Sequence, residues 1–502
     1  MRDYKIPVLS ISKFSDKDFN FLSLSARDYR KLDTKNKNII KLGDLLETKH
    51  KVGKEIGSES YMPKSQHRFL KTVNISKNFL LAESVFEYCK PTNKIFPKKN
   101  EILIAKDGGG DGLGEACLYP YENKENLDSL SAGVISINIV AKKLYYVFGM
   151  LKSQHFKDHI DLNTAQGSTI RHSKLAALDY EIPFPTKNNH TEPQKIEQLV
   201  SLITQNIINK EEQIKAKNQK IDELIEKELK QGQKPTNGFV YEYPTISEIK
   251  RETRLDTGIY EIEFKEIDFL IKNYGGGFFQ LLSKYTANRG QNLQISNIGE
   301  SIYSDIEKPN FYRLFTNVEL TDDRTISSYR WLGNKNELML IPKKTIFLSA
   351  DGTVGRCIYI ADAGKTITNI HPWNINKIKP DNKDFEDIFV AMFLGFLYKK
   401  NYYEKIKDKA NGGGIKLNHL QKYLPIPNFP NQKQQEIAKE YYNKIDKNQN
   451  LTLENYLQKE TTRNHQIGIF QLNMEIFILR EKLEEIIDKI INDLPIEINL
   501  NY

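Results

Sequence analysis

The stretch "ILIAKDGGGDGLGEACLYP", residues 102–120, places an apolar run before five glycines in seven positions, Gly108 to Gly114, and a second apolar run after them. A second stretch, "TIFLSADGTVGRCIYIAD" (345–362), has the same plan of strand, Asp-Gly, short glycine turn and strand. Asp107 and Asp351 stand 244 residues apart, about half of the 502-residue chain. That spacing predicts a sequence that contains itself twice, and other anchors agree. "RFLKTVNIS" begins at Arg68 and "RLFTNVELT" at Arg313. Pro97 in "FPKKNEILIAKDG" matches Pro342 in "IPKKTIFLSADG", and "YEIPFP" ends at Pro185 where "LPIPNFP" ends at Pro430. Each of these pairs is 245 residues apart, and their order is kept. Repetition at one interval marks a duplicated architecture, here with divergent filling.

After each Pro-rich boundary a long polar helix opens, "EPQKIEQLV" in the first half and "NQKQQEIAKEY" in the second. In the first helix Ile196, Val200, Ile203, Ile207, Lys210, Ile214, Lys217, Ile221 and Leu224 step by fours and threes, the seam of a coiled coil. Lysine at two seam positions costs stability and can specify register. Near the C-terminus Ile469, Leu472, Ile476, Leu479, Leu483, Ile486 and Ile490 keep the same rhythm without a polar interruption. The two stripes can pack antiparallel within one chain, or each can pair with another chain; the fixed local concentration favours the first. Gly468 divides the second helical region, which allows two helices there. Between helices and turns, short Val, Ile, Tyr and Phe strands alternate with few helical patterns, of which "YYVFGMLKSQHFKDHI" and "IFVAMFLGFLYKKNYYEKI" are the clearest. The fold class is α+β, in two tandem lobes with internal pseudo-twofold symmetry. The expected boundaries are 1–190, 191–233 (helix), 234–430 and 431–502 (helical region).

Composition narrows the function. With 39% hydrophobic and 27% charged residues the chain has material for cores and is not broadly disordered. No signal peptide or membrane span is visible, and a cytoplasmic location is expected. Cys89, Cys117 and Cys357 cannot build a disulfide framework or a spaced zinc site, and Cys117 and Cys357, just after the glycine turns, read as small buried side chains. Net charge is +8; removing residues 192–230 (net −1) and 431–494 (net −2) leaves +11 on the lobes. Basic lobes on near-neutral helices suit a polyanion ligand, although a solvated lysine-rich surface has the same balance.

Nucleotide motifs fail on inspection. "DAGKT" (362–366) has the Gly-Lys-Thr of a Walker loop, but Tyr359 stands where its first glycine is needed. Neither glycine turn precedes an amphipathic helix, which excludes the dinucleotide fingerprint. "EIEFKE" (261–266) has a nuclease-like Glu-x-Lys without organised carboxylate partners. What the turns can offer is exposed backbone for phosphate oxygens, at Lys106, Gly109 and Gly110 in the first half and Gly352, Thr353 and Arg356 in the second. "AQGSTIRHSKL" (165–175) and "ANGGGIKLNHL" (410–420) are equivalent segments before the Pro boundary, where Ser168, Thr169, Arg171 and Lys416 can donate to phosphates. Base-reading groups are expected where the halves differ. In "ETKHKVGKEIGSESYMPKSQHR" these are Lys49, Lys51, Lys54, Lys64 and Arg68, and in "TANRGQNLQISNIGE" they are Arg289 and Gln291. A plain loop is the competing reading for each.

Taken together, these residues resemble the DNA-specificity subunits of Type I restriction–modification systems, over nearly the whole chain. The resemblance rests on "LSADGTVGRCIYI", on "QGSTI" and "NGGGI", on "IPFP…EPQKIEQLV" and "LPIPNFPNQKQQEI", and on "RLDTGIYEIEF" at 254–264. The first hairpin, "DGGGDGLGEA", is longer than the family form. "FSDKDFNFLSLSARDYRKLD" has no counterpart in the second half. The resemblance implies two target-recognition domains separated by long helices that pack as an antiparallel coiled coil, with seam residues Ile203, Ile207, Ile214, Ile221, Leu472, Ile476, Leu479 and Leu483. It implies recognition of a bipartite asymmetric site in double-stranded DNA, without catalysis and without a metal site. Expected partners are two methyltransferase (M) subunits and restriction/translocase (R) subunits, which would hold the S-adenosylmethionine, ATP and Mg; no membrane is involved. Two alternatives are a recognition half of a split single-chain restriction–methylation enzyme and a coiled-coil scaffold that does not bind DNA.

Overall fold

In the computed structural model, residues 32–83, 86–91, 94–109, 112–165, 168–187, 192–236, 238–408 and 413–501 are described. The N-terminal stretch expected to lack a counterpart lies almost wholly outside these residues, and Gly110 does too. The chain divides into two compact units. The first comprises the described residues of Met1–Glu212 with Lys447–His465 and Met474–Tyr502; the second comprises Gln213–Asp446 with Gln466–Asn473.

Among the described residues, lobe 1, in the first unit, has twelve short strands. They are β1 (Ile39–Lys41), β2 (Lys51–Val52), β3 (Tyr61–Met62), β4 (Arg68–Leu70), β5 (Glu87–Cys89), β6 (Ile102–Ala105), β7 (Asp107–Gly108), β8 (Ala116–Leu118), β9 (Asp128–Leu130), β10 (Val134–Ile137), β11 (Arg171–His172) and β12 (Glu181–Pro183). Two four-stranded sheets have the orders β2-β10-β6-β8 and β3-β5-β4-β9, and β1 pairs with β12. Lobe 2, in the second unit, has β13 (Phe278–Gln280), β14 (Tyr285–Arg289), β15 (Ser301–Ser304), β16 (Tyr312–Phe315), β17 (Arg330–Asn334), β18 (Thr345–Ser349), β19 (Cys357–Ile360), β20 (Thr366–Thr368), β21 (Pro372–Lys377) and β22 (Pro425–Pro427). Its sheets are β14-β21-β18-β19 and β15-β17-β16-β20, with β13 paired to β22. The two orders superimpose strand for strand. Even the parallel edge recurs, β4 with β9 and β16 with β20.

The strands around the glycine turns form the cores. Every residue of β6 and β18 is buried, as continuous apolar runs require when both faces are covered. Cys117 and Cys357 lie buried on β8 and β19 as free thiols. Each turn links an antiparallel hairpin, β6·β8 and β18·β19. Gly114 and Gly355 end the turns at φ +77° and +96°. A Cβ on Gly355 would stand 2.4 Å from the Tyr403 ring, and one on Gly114 3.0 Å from Ile160. Those two glycines therefore serve the turn and its packing. Gly352, at φ +70°, faces open space.

Both patterns expected to be helical are helical, and each is broken once. In lobe 1 the break falls between Leu144–Leu151 and Gln154–Leu162, where the Ser153 hydroxyl caps the second helix by accepting from the Phe156 N–H. In lobe 2 it falls at Asn401, left-handed at φ +58°, between Asp384–Lys399 and Tyr402–Ile406.

A central helix runs Pro193–Gln231. Its seam residues Ile203, Ile207, Ile214 and Ile221 are buried, and past them Ile225 and Leu229 take over from half-buried Leu224. The C-terminal region is more broken than a continuous coil: Asn431–Tyr441, Tyr456–Gln466 and Ile469–Ile491 are helical, and 442–455 is not. Gly468 marks the last break, because a Cβ there would lie 2.4 Å from the Tyr441 carbonyl oxygen. Leu472, Ile476, Leu479 and Leu483 are buried. In the first unit Lys210 meets Glu475 at 2.6 Å, while Val200 and Leu483 both close on Gly149, so low numbers on one helix stand beside high numbers on the other. Among the described residues no helix is long and apolar enough to cross a membrane.

Candidate nucleic-acid interface

In each lobe the glycine turn meets the segment before the Pro boundary. In lobe 1, β7 pairs with β11, setting Gly108 opposite Arg171 and Asp107 opposite His172, and the Ser173 N–H donates to the Lys106 carbonyl at 2.8 Å. A Cβ on Gly109 would approach the Thr169 carbonyl oxygen to 2.9 Å. In lobe 2 the Ile415 N–H donates to the Ala350 carbonyl at 2.8 Å, and a Cβ on Gly414 would collide with the Asp351 carboxylate at 2.3 Å. Segments some 60 residues apart in sequence thus share one junction, twice.

Both junctions set an aspartate beside a histidine and a cation, but the cation differs. Asp107 lies 3.0 Å from the Lys106 ammonium and 2.9 Å from His172 Nδ1. Asp351 lies 3.4 Å from the Arg289 guanidinium and 3.3 Å from His371 Nδ1. Arg289 stacks on Trp373 at 3.8 Å and donates to the carbonyls of Ile370 (3.1 Å), His371 and Ile415 (3.3 Å). Burial holds its pKa below the ordinary arginine value, with Asp351 opposing. Trp373 is fixed by its indole N–H, which donates to the Ile415 carbonyl at 2.9 Å. The Asn317 amide holds the turn by donating to the Asp351 carbonyl at 2.7 Å. Sequence reasoning passed over Asn317, His371 and Trp373, although "NIHPWN" (369–374) is a His- and Trp-bearing stretch beside a strand.

Several basic residues singled out from sequence are committed inside the lobes. Arg68 forms two 2.5 Å bonds to Asp128 and lies between the Phe86 and Tyr121 rings at 4.4 and 4.6 Å. Arg356 donates to Asp322 and to the Leu320 carbonyl, both at 2.7 Å. Lys51 pairs with Glu101 at 2.5 Å, and Arg171 with Asp161 at 2.8 Å. Half-buried charges need such partners, and a charge so engaged is not free to meet a ligand without losing them. Gln291 accepts from the Met339 N–H at 2.9 Å, and Thr353 donates to the Asn317 carbonyl at 3.4 Å. Lys416 pairs with Asp408 at 2.5 Å yet stays half exposed. Lys49, Lys54, Lys64, Gly109, Ser168, Thr169 and Gly352 are exposed. In "EIEFKE" the Glu-x-Lys is Glu263 and Lys265: Glu263 is exposed, Lys265 pairs with Glu248 at 3.3 Å, and the neighbouring Glu261 pairs with Lys405.

No protein-family model matches the sequence, and no curated protein matches it. Solved structures are similar to it. One is a Type I restriction–modification system S subunit from M. genitalium, at 14% identity over 93% of this chain and 99% of that one, with TM-score 0.40. Another belongs to a study of complex assembly and conformational transition of the type I R–M system, at 13% identity over 92% and 100%, with TM-score 0.27. A third is the HsdS subunit from Thermoanaerobacter tengcongensis, at 13% identity over 91% and 97%, with TM-score 0.26.

Proposed function

We propose that this chain is the DNA-specificity subunit of a Type I restriction–modification complex. It reads a bipartite, asymmetric duplex target and performs no chemistry itself. The observation that carries the reading is the junction of glycine turn and pre-proline segment, built twice on the same sheet order with different side chains. Equal frameworks with unequal surfaces are what two unequal half-sites require. The exposed backbone at Gly109 and Gly352, with Ser168, Thr169 and Lys416 beside it, suits phosphate contacts that position each lobe. Base contacts would fall on the loops that differ, around Lys49, Lys54 and Lys64 in lobe 1 and in the loop that follows Arg289 in lobe 2.

In this reading the central and C-terminal helices form an antiparallel coiled coil that separates the half-sites and seats two methyltransferase subunits. Restriction subunits join that assembly. S-adenosylmethionine, ATP and Mg belong to those partners. The test is methylome sequencing of cells with and without the gene, beside retardation of duplex DNA by the purified chain across a salt series. A split methylated motif that disappears with the gene is expected. So is weak duplex binding that falls steeply with salt, as the +11 charge on the lobes demands. Salt-insensitive binding, or an unchanged methylome in a strain that retains the partner genes, would overturn the reading.

A further inference from the structure

Lobe 2 carries a second candidate site, away from the glycine turn. Along β16 and β17, Tyr312, Leu314 and Leu332 face a core shared with Ile367. The alternation of a strand therefore turns Arg313 and Trp331, cross-strand partners, to the other face. Gly333 leaves room there for Phe311, since a Cβ at Gly333 would fall 2.5 Å from that ring. Beside these residues opens a cleft of about 650 Å³, and the "DAGKT" segment that fails as a Walker loop contributes Asp362, Gly364 and Lys365 to its wall.

Arg313 is held by neutral groups, the Thr366 hydroxyl at 3.0 Å and the Ala363 carbonyl at 2.9 Å. Lys365 donates to the Asn310 carbonyl at 2.9 Å, and Lys308 lies 5.6 Å from the Phe311 ring centre. Among the described residues none of these three cations has a carboxylate partner. Two acids border the cleft. Asp362 accepts from the Gly364 N–H at 3.3 Å, and Glu307 is exposed. Arg68, which stands 245 residues before Arg313, is neutralised by Asp128; both guanidinium groups lie over two rings, but Arg313 has no such carboxylate. The open cation–aromatic cleft is therefore a property of lobe 2 and not of the duplicated framework.

We propose that this cleft binds one nucleotide unit, its base stacked on Trp331 beside Phe311 and its phosphate held by Lys308 and Lys365. An aromatic face takes any base, because every base has a flat face to stack on it. Unpaired cations supply the charge-assisted bonds that a phosphate needs. An inorganic anion would leave the aromatic face unused, and an apolar ligand would strand the cations. The nucleotide can be free or part of a single strand, and the proposal does not depend on the duplex-recognition reading.

The chain has two tryptophans, and Trp373 is buried. Quenching that is absent from a Trp331→Phe variant therefore reports this cleft. The full chain is titrated with dAMP, with inorganic phosphate and with a short single-stranded oligonucleotide, while duplex retardation is measured alongside. Saturable quenching by dAMP, competed by phosphate and weakened at least ten-fold in Lys308→Gln and Lys365→Gln variants of unchanged circular dichroism, is expected. Quenching by the oligonucleotide but not by dAMP would also support the site and assign its source to a strand. No saturable quenching by either, or undiminished binding in the lysine variants, overturns the proposal. Retained duplex retardation in that case leaves the DNA reading standing.

Discussion

Asp387 is a buried carboxyl that accepts the Tyr285 hydroxyl at 2.8 Å, with the Lys377 ammonium 4.0 Å away and Asp381, Asp384 and Glu386 nearby. Burial outweighs those two favourable contacts and pushes its pKa up to about 6. The folded state thus holds this proton more tightly than the unfolded chain does. The stabilisation is complete below the unfolded value and is lost as pH rises through about 6. A shift of this size corresponds to about 3 kcal/mol. Wild type should gain stability relative to Asp387→Asn as pH is lowered from 7 to 4; a difference in denaturation midpoint that stays flat over that range would refute the assignment. The glycines of one turn should also separate. Gly355→Ala meets both a positive φ and the Tyr403 ring, whereas Gly352→Ala meets a positive φ alone. A cost of about 1–2 kcal/mol is expected for Gly352→Ala from its backbone alone, and clearly more for Gly355→Ala. Equal losses in thermal unfolding would mean that the packing around Gly355 yields.

At the scale of elements, one loop seats each lobe on its stretch of helix, with different chemistry in the two halves. In lobe 1 the N–H groups of Phe79 and Leu80 donate to Glu211 of the central helix at 2.9 Å, and Arg480 closes on the same carboxylate at 2.8 Å. The residue 245 positions after Phe79 is Arg324, left-handed at φ +55°. It reaches Asn218 at 2.7 Å and Asp222 on the central helix, while Asn473 bonds both the N–H and the carbonyl of Ile326. Where the lobe 1 loop offers backbone N–H groups to a helix carboxylate, the matching lobe 2 loop sends an arginine side chain into the helix. Arg324→Ala leaves Asp222 and Asn218 without their cation, and a loss of about 3 kcal/mol is expected for a buried pair broken on one side. Chemical denaturation of the full chain checks it, and a loss below 1 kcal/mol would show that the seat does not depend on this residue. The two lysines in the helical stripe also find partners: Lys210 meets Glu475 and Asn464, and Lys217 meets Glu440. Sequence could name them as exceptions to the stripe but not say what they face.

For the whole molecule the useful fact is how each lobe closes on itself. β1 pairs with β12, Ile39 opposite Pro183, and β13 pairs with β22, Phe278 opposite Pro427. The first and last strands of each lobe therefore pair, a geometry that suits exchange of the lobe as a cassette. If the proposed function holds, replacing residues 38–190 with the first lobe of a Type I specificity subunit should change one half of the methylated motif and leave the other half intact. Methylome sequencing reads the outcome directly. If both halves changed together, independent recognition by the lobes would be wrong.

The duplication, the hairpins around Asp107 and Asp351 and the apolar stripe of Pro193–Gln231 were legible in the sequence. They rest on local rules, namely strand alternation, the backbone freedom of glycine and a helical period that any window of residues displays. The availability of the charges was not legible. Arg68 and Arg313 open the same motif, yet one is bound to Asp128 and the other is left among neutral oxygens. Nor could sequence show that 168–173 would lie on the turn at 106–109, or that Trp373 would stack on Arg289. Those outcomes depend on which segments the sheets bring within a few ångströms of one another. A charge's freedom to meet a ligand is decided by such neighbours, not by its own position in the chain.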